Sequence, residues 1–200
     1  MPTTRTAGSA LTTAFPTLLV TLVLATGAPS ALSALQAEAT DDNQELRQMH
    51  VEDQSDRRPP DGGSIDWSVV GERDSTRLER VKKLFAADSL RTANDYYHAA
   101  MILQHGATPE DYLLAHEFCI VAIIKGKNDK AARWLAAASE DRFLMSLERP
   151  QRFATQFRST GGAPVRLYEV DPSVTDELRR LMDARTLEEA KAQEAEFNEQ

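Results

Sequence analysis

DYYHAAMILQHGATPEDYLLAHEFCIVAIIKGKNDKAARWLAAASEDRFLMSL, residues 95–147, decides the fold. Apolar residues recur at helical spacing in three blocks, and Gly106 and Gly126 mark the breaks between them. The first helix is expected over Asp95 to Gln104, capped by Asn94 or Thr92. Thr108-Pro109-Glu110-Asp111 opens the second. Threonine caps, proline takes the first helical position where no N–H is needed, and two acids face the positive helix end. This helix runs to Lys125 and is apolar nearly all round, interrupted only by His116 and Glu117. A helix without a polar face belongs in the middle of a bundle. Asn128 is the expected cap of the third helix, which Ala131 to Ala138 carries to about Leu147. Helices of this length joined by such short turns fold back on one another. The expected fold is therefore all-α, a bundle of antiparallel helical hairpins.

Outward from this block the signals are weaker. Glu45 to Asp56 reads as a charged helix with Leu46, Met49 and Val51 as its few apolar residues. Arg58-Pro59-Pro60-Asp61-Gly62-Gly63-Ser64 breaks it. Ile65, Trp67, Val69 and Val70 precede another expected helix, about Asp74 to Ala87, where Leu78, Val81, Leu84 and Phe85 share a face. Pro150 opens an irregular segment, residues 150–172, with a Gly161-Gly162 loop and a short extended piece at Val165 to Val170. Ser173 to Asp176 caps one further helix, and the capping box Thr186-Leu187-Glu188-Glu189 starts the last.

The N-terminus reads as a secretory signal. Arg5 is followed by the apolar run Phe15 to Ala25 and by small residues ending Ala37-Glu38-Ala39. Cleavage is expected after Ala39, or alternatively near Ser33 or Ala34, leaving residues 40–200 as a single α-helical domain outside the cytoplasm, secreted or periplasmic. The apolar run is too short and too interrupted to serve as a stable membrane span, which takes about 20 apolar residues. Net charge is −8 and the pI about 5.1, so phosphate backbones are repelled and nucleic acid is not an expected partner. Cys119 is the only cysteine, and its apolar neighbours mark it as a small buried hydrophobe.

The polar residues inside the apolar block need partners. His98 and His105 lie seven residues apart on one helix face. His116 shares a face with Tyr112 and Cys119. Asp141 falls on the face of Trp134, Ala138 and Met145, with Arg142 beside it. Charged residues are almost never fully buried unless paired, and His98, Gln104, His105, His116 and Glu117 are the side chains that antiparallel packing can bring to them. Mutual satisfaction is the leading reading. A metal site is disfavoured, because seven residues of helix span about 10 Å and no His-x-x-x-His occurs. Acid–base chemistry by His105 or His116 with Asp141, Arg142 or Glu117 lacks a marked nucleophile. No cofactor motif is present.

Two resemblances add to this. The three central helices are similar in architecture to tetratricopeptide and Sel1-like hairpins, and Ala131 to Ala138 resembles a Sel1 helix, although no repeat holds a fixed period. At Asp141-Arg142, Pro150-Gln151 and Thr155-Gln156-Phe157, at Gln104-His105, and at Asp53-Gln54-Ser55-Asp56-Arg57, the chain resembles a bacterial family known only as a domain of unknown function. That likeness covers about Leu46 to Phe197 and includes the Asp171 segment with its Leu178-Arg179-Arg180 helix. Ala154 stands where the resemblance leads one to expect glycine. The resemblance implies no reaction. It implies that Asp53, Arg57, His105, Asp141, Arg142, Gln151 and Gln156 form one binding region. The expected role is a binding or interaction module with a groove between hairpins, taking a protein or a small ligand. The alternative is an enzyme, a hydrolase, built on His105, Asp141 and Arg142.

Overall fold

A computed structural model describes residues 41–59 and 62–199. The signal-peptide expectation, residues 1–39, lies outside the described residues, as do Pro60 and Asp61. Among the described residues, seven helices and one two-stranded sheet follow in order. These are α1 (Gln44–Asp56), α2 (Trp67–Ala86), α3 (Ala93–Leu103), α4 (Pro109–Ile124), α5 (Lys130–Ser146), β1 (Phe157–Arg158), β2 (Arg166–Leu167), α6 (Asp176–Leu181) and α7 (Leu187–Glu199). The protein is mostly helical. None of these helices is long and apolar enough to cross a membrane.

The caps explain the boundaries. Thr108 and Asp111 close a reciprocal capping box at α4 with Pro109 at the first position, and Thr92 with Asp95 does the same at α3. Two starts differ from the sequence reading. α2 begins at Trp67 rather than near Asp74, because the Asp66 carboxylate accepts from the Ser68 and Val69 N–H groups. α5 is capped by Asp129, whose side chain accepts from Ala132, and not by Asn128.

α3, α4 and α5 form the centre. Tyr96 at the start of α3 meets Phe118, late in α4, edge-to-face at 5.3 Å between ring centres, so these two helices run in opposite senses. Leu46, Val81, Ile102, Leu103, Phe118, Cys119 and Leu135 make the core, floored by Ala99, Ala100, Ala115, Ala122, Ala132 and Ala136. Alanines at these positions let the helix axes approach closely. α4 is not enclosed as its composition suggested. Ala115, Phe118, Cys119 and Ala122 are buried, but Leu113, Ile120 and Ile124 face solvent, Ile124 at 78% exposure. Two neighbouring helices cover only part of the circumference of a third.

The segment after α5 folds back over it. Gln151 bridges Val170 in parallel, and β1 pairs antiparallel with β2, Phe157 opposite Leu167. Phe153, Ala184 and Ala137 form a small second core. α7 closes the hairpin's edge, where Glu194 accepts from Leu167 N–H at 2.8 Å and Asn198 exchanges two hydrogen bonds with Val165.

Candidate functional site

Residues from three helices surround a cleft of about 360 Å³. The last turn of α1 and the residues after it give Gln54, Arg57 and Arg58. One face of α3 and its end give Tyr97, Met101, Gln104 and His105, and the start of α5 gives Ala131 and Trp134. Helical periodicity places them: 97, 101, 104 and 105 fall within one side of a helix. Trp134, half-buried, also lines a second cleft of about 610 Å³ with Lys130, Ala131, Asp183 and Arg185. The two clefts meet at Ala131 and Trp134, with the indole in the wall of both.

Asp53 lies beneath the cleft, fully buried. Its Oδ1 accepts from Arg57 Nη1 at 2.8 Å and its Oδ2 from Gln54 Nε2 at 2.8 Å. His105 Nε2 stands 3.6 Å from Oδ1. Burial pushes this carboxyl's pKa up, but His105, Arg57 and Gln54 outweigh it and hold the group below its ordinary value. Asp53 is therefore ionised at neutral pH. Gln104 Nε2 lies 3.3 Å from the same His105 nitrogen. A proton on that nitrogen faces Asp53; without it, the nitrogen can accept from Gln104. Arg57 also reaches Asp74, and Asp56 joins Arg73 and Arg77, which ties α1 to α2. A larger cleft between α1 and α2, about 610 Å³, is lined by Glu52, Asp56, Arg73 and Arg77. Three of these four already pair with one another.

Asp141, Gln151 and Gln156 belong elsewhere. Asp141 is fully buried. It accepts from the backbone N–H of Arg152 (2.7 Å), Phe153 (2.9 Å) and Thr155 (3.1 Å), and from the Thr155 hydroxyl (2.8 Å). Burial raises its pKa against these donors. Gln151 is equally enclosed. Its amide donates to the carbonyls of Gln156 and Tyr168 and accepts from Gln156 N–H. These side chains replace secondary structure across the turn at 151–156, where regular pairing is sparse. The turn needs them because Ala154 adopts φ 55°, the left-handed region. The seven residues expected to form one region thus divide: Arg57 and His105 line the cleft with Asp53 buried behind them, Asp141, Gln151 and Gln156 fasten the loop, and Arg142 belongs to neither group. The histidines, glutamine and glutamate expected as partners of Asp141 are replaced by backbone donors 11–14 residues downstream.

The remaining candidates have separate fates. His116 Nδ1 donates to the Ala136 carbonyl at 2.9 Å. The Cys119 thiol is buried and pushed up to about 12 by burial, with Ser139 pulling the other way, so it is no nucleophile. His98 stacks on His50 at 4.4 Å between ring centres, its Nδ1 buried and unpaired. Arg142 makes no hydrogen bond or ion pair among the described residues, and its Nε is sealed from solvent. Trp134, Tyr97 and Arg58 were not singled out by the sequence. Trp134 was legible only as one large residue within an alanine run. Among the described residues no three His, Cys, Asp or Glu side chains are grouped to hold a metal ion. No family model matches the chain, and no curated protein or solved structure matches it either.

Proposed function

We propose that the chain is an exported binding module whose ligand lies in the groove between α1, α3 and α5. The observation that carries this is the half-buried Trp134 in the wall of a cleft bordered by Tyr97, Met101, Arg57 and His105. Concave sites with an aromatic wall and a few fixed polar groups are what small ligands occupy. Arg57 and His105 are held in place by Asp53, so the polar end is preorganised.

Indole emission tests the proposal. The chain has two tryptophans, and Trp67→Phe leaves Trp134 as the sole reporter. A screen of small metabolites and short peptides should give saturable shifts in Trp134 emission, each abolished by Trp134→Leu. Hits that leave the emission unchanged place binding elsewhere and end the reading.

A second reading rests on the 3.6 Å approach of His105 to Asp53. An imidazole oriented by a buried carboxylate is a general-base arrangement. Ester and phosphate-ester turnover lost in His105→Ala would favour it. Kinship with the hairpin architectures is supported by the five-residue connections at 104–108 and 125–129. The left-handed backbone at Ala154, a conformation glycine adopts freely, supports the separate resemblance to the bacterial family, which led to the expectation of glycine there. Export by cleavage after Ala39 leaves intact the contacts of Asp42 with Thr92 and Asn94.

A further inference from the structure

Among the described residues no acidic side chain lines the cleft at Trp134. Its charged lining is Arg57 and Arg58, with His105 beside them, although the chain as a whole carries −8. The carboxylate close behind, Asp53, is fully buried and accepts from Arg57 and Gln54. Arg57 is engaged as well, one arm of its fork on Asp53 and the other on Asp74. It also donates to the Asp53 carbonyl, the usual task of a cation at a helix C-terminus. Arg58 is left over. It is exposed at the rim of the cleft. Its side chain makes no hydrogen bond or ion pair among the described residues, and only its backbone N–H is used, on the Ser55 carbonyl.

Aromatic walls serve cations as well as apolar rings. Here a cation of the chain already holds that position, since Lys127 Nζ sits 4.6 Å from the centre of the Tyr97 ring. A ligand cation would face Arg58 and find no free carboxylate in the lining. An aromatic ring meets no such conflict, and Trp134, Tyr97 and Met101 offer it stacking and thioether contact. A cleft of about 360 Å³ lies at the small end of ligand sites, so the ligand is small.

Resting on the binding reading above, we propose that this cleft takes a small aromatic anion, its ring against Trp134 and its carboxylate or phosphate held at the rim by the Arg58 guanidinium. Two donors on one edge of the guanidinium match two oxygens of either group. Arg57, already held by Asp53 and Asp74, builds the wall and does not reach for the ligand.

Calorimetric titration of the chain with benzoate, phenyl phosphate, benzyl alcohol and benzylamine tests this. At least one anion should bind fivefold or more tighter than the alcohol, and which anion does so separates carboxylate from phosphate. Benzylamine should bind no tighter than the alcohol, and the preference for the anion should shrink as salt rises. Arg58→Gln should weaken the anion fivefold or more while leaving the alcohol within twofold. An unchanged melting temperature certifies that variant's fold, as expected at an exposed side chain. Arg58→Lys, which keeps the charge without the fork, should bind the anion with intermediate strength. An anion bound no tighter than the alcohol, or bound equally by Arg58→Gln, overturns the proposal, and the binding reading then stands on the Trp134 response. No binding by any probe at about 10 mM also overturns the proposal, and the metabolite and peptide screen then decides the binding reading by itself.

Discussion

Replacing Asp141 should cost more stability than replacing any other single polar residue of the 150–172 segment's anchorage. The carboxylate receives four donors, three of them backbone N–H groups at 2.7–3.1 Å. Phe153 and Thr155 are buried or half-buried, so water reaches their orphaned N–H groups only after the turn opens. An unsatisfied buried donor costs about 1–3 kcal/mol. Three such donors, discounted for partial opening of the turn, put Asp141→Ala at about 3–5 kcal/mol. Asp141→Asn keeps the size but turns one acceptor oxygen into a donor facing donors, and should cost about 2 kcal/mol. In a domain of this size each kcal/mol lowers the melting temperature by about 2–4 °C. Urea unfolding followed by circular dichroism gives the free energies. Limited proteolysis should show earliest cleavage between residues 156 and 166 in the alanine variant, because the loop loses its pin while α3, α4 and α5 keep their core. An Asp141→Ala protein within 1 kcal/mol of the parent refutes the assignment of Asp141 as the loop's anchor.

Acidification should unfold the protein through the His50–His98 stack. Burial, His50 and Lys127 push His98 down to about 4 from 6.5, and Asp42 and Asp95 only partly oppose them. His50 is lowered as well, chiefly by burial. The unfolded chain therefore binds protons that the folded one refuses, and stability falls as pH drops from about 6.5 toward 4. The full shift of His98 corresponds to about 3 kcal/mol, roughly halved by solvent at a half-buried ring. His98→Phe should flatten the melting-temperature profile across that interval, and an unchanged slope contradicts it. Ala154→Gly should raise stability by about 0.5 kcal/mol, since the left-handed backbone no longer opposes a Cβ. Ala154→Val should lower it by about 2 kcal/mol, and equal urea midpoints for the two variants count against the strain. Gly106→Ala should cost about 2 kcal/mol. Its new Cβ meets the Asp111 Cβ at 2.4 Å, and Asp111 is fixed by its capping box and by Lys82 at 2.9 Å. A melting temperature unchanged in that variant argues against the close approach.

The helical centre was readable because its signals are local. Thr108-Pro109-Glu110-Asp111, Gly106, Gly126 and the alanine run each act within a turn or two of the chain. The same holds for the Thr186–Glu189 box, which forms as written. α2 was read late because Asp66, its cap, sits just after a proline- and glycine-rich break that masked it. The partners of Asp141 were hidden for the opposite reason. Apart from the Thr155 hydroxyl they are backbone groups, which carry no identity in a sequence, and they arrive from a loop whose path depends on Gln151 and Ala154. The division of the candidate residues into cleft and loop groups follows from that, since Asp141 and Arg142 are adjacent in sequence yet point about 100° apart around α5. The exposed Leu113, Ile120 and Ile124 show the limit of composition. A helix apolar on all sides still has neighbours only where the chain supplies them.

α1 is a door hung on charges. It buries only Leu46, Met49 and Asp53, and ion pairs from Glu45, Asp53, Asp56 and Arg57 supply much of its remaining hold. Salt screens exposed charges over about 10 Å at 0.1 M and buried ones far less, so the exposed Glu45–Arg80 pair yields to it first. The Arg57 pairs with Asp53 and Asp74, shielded by burial, keep the groove wall in place when the surrounding electrolyte changes.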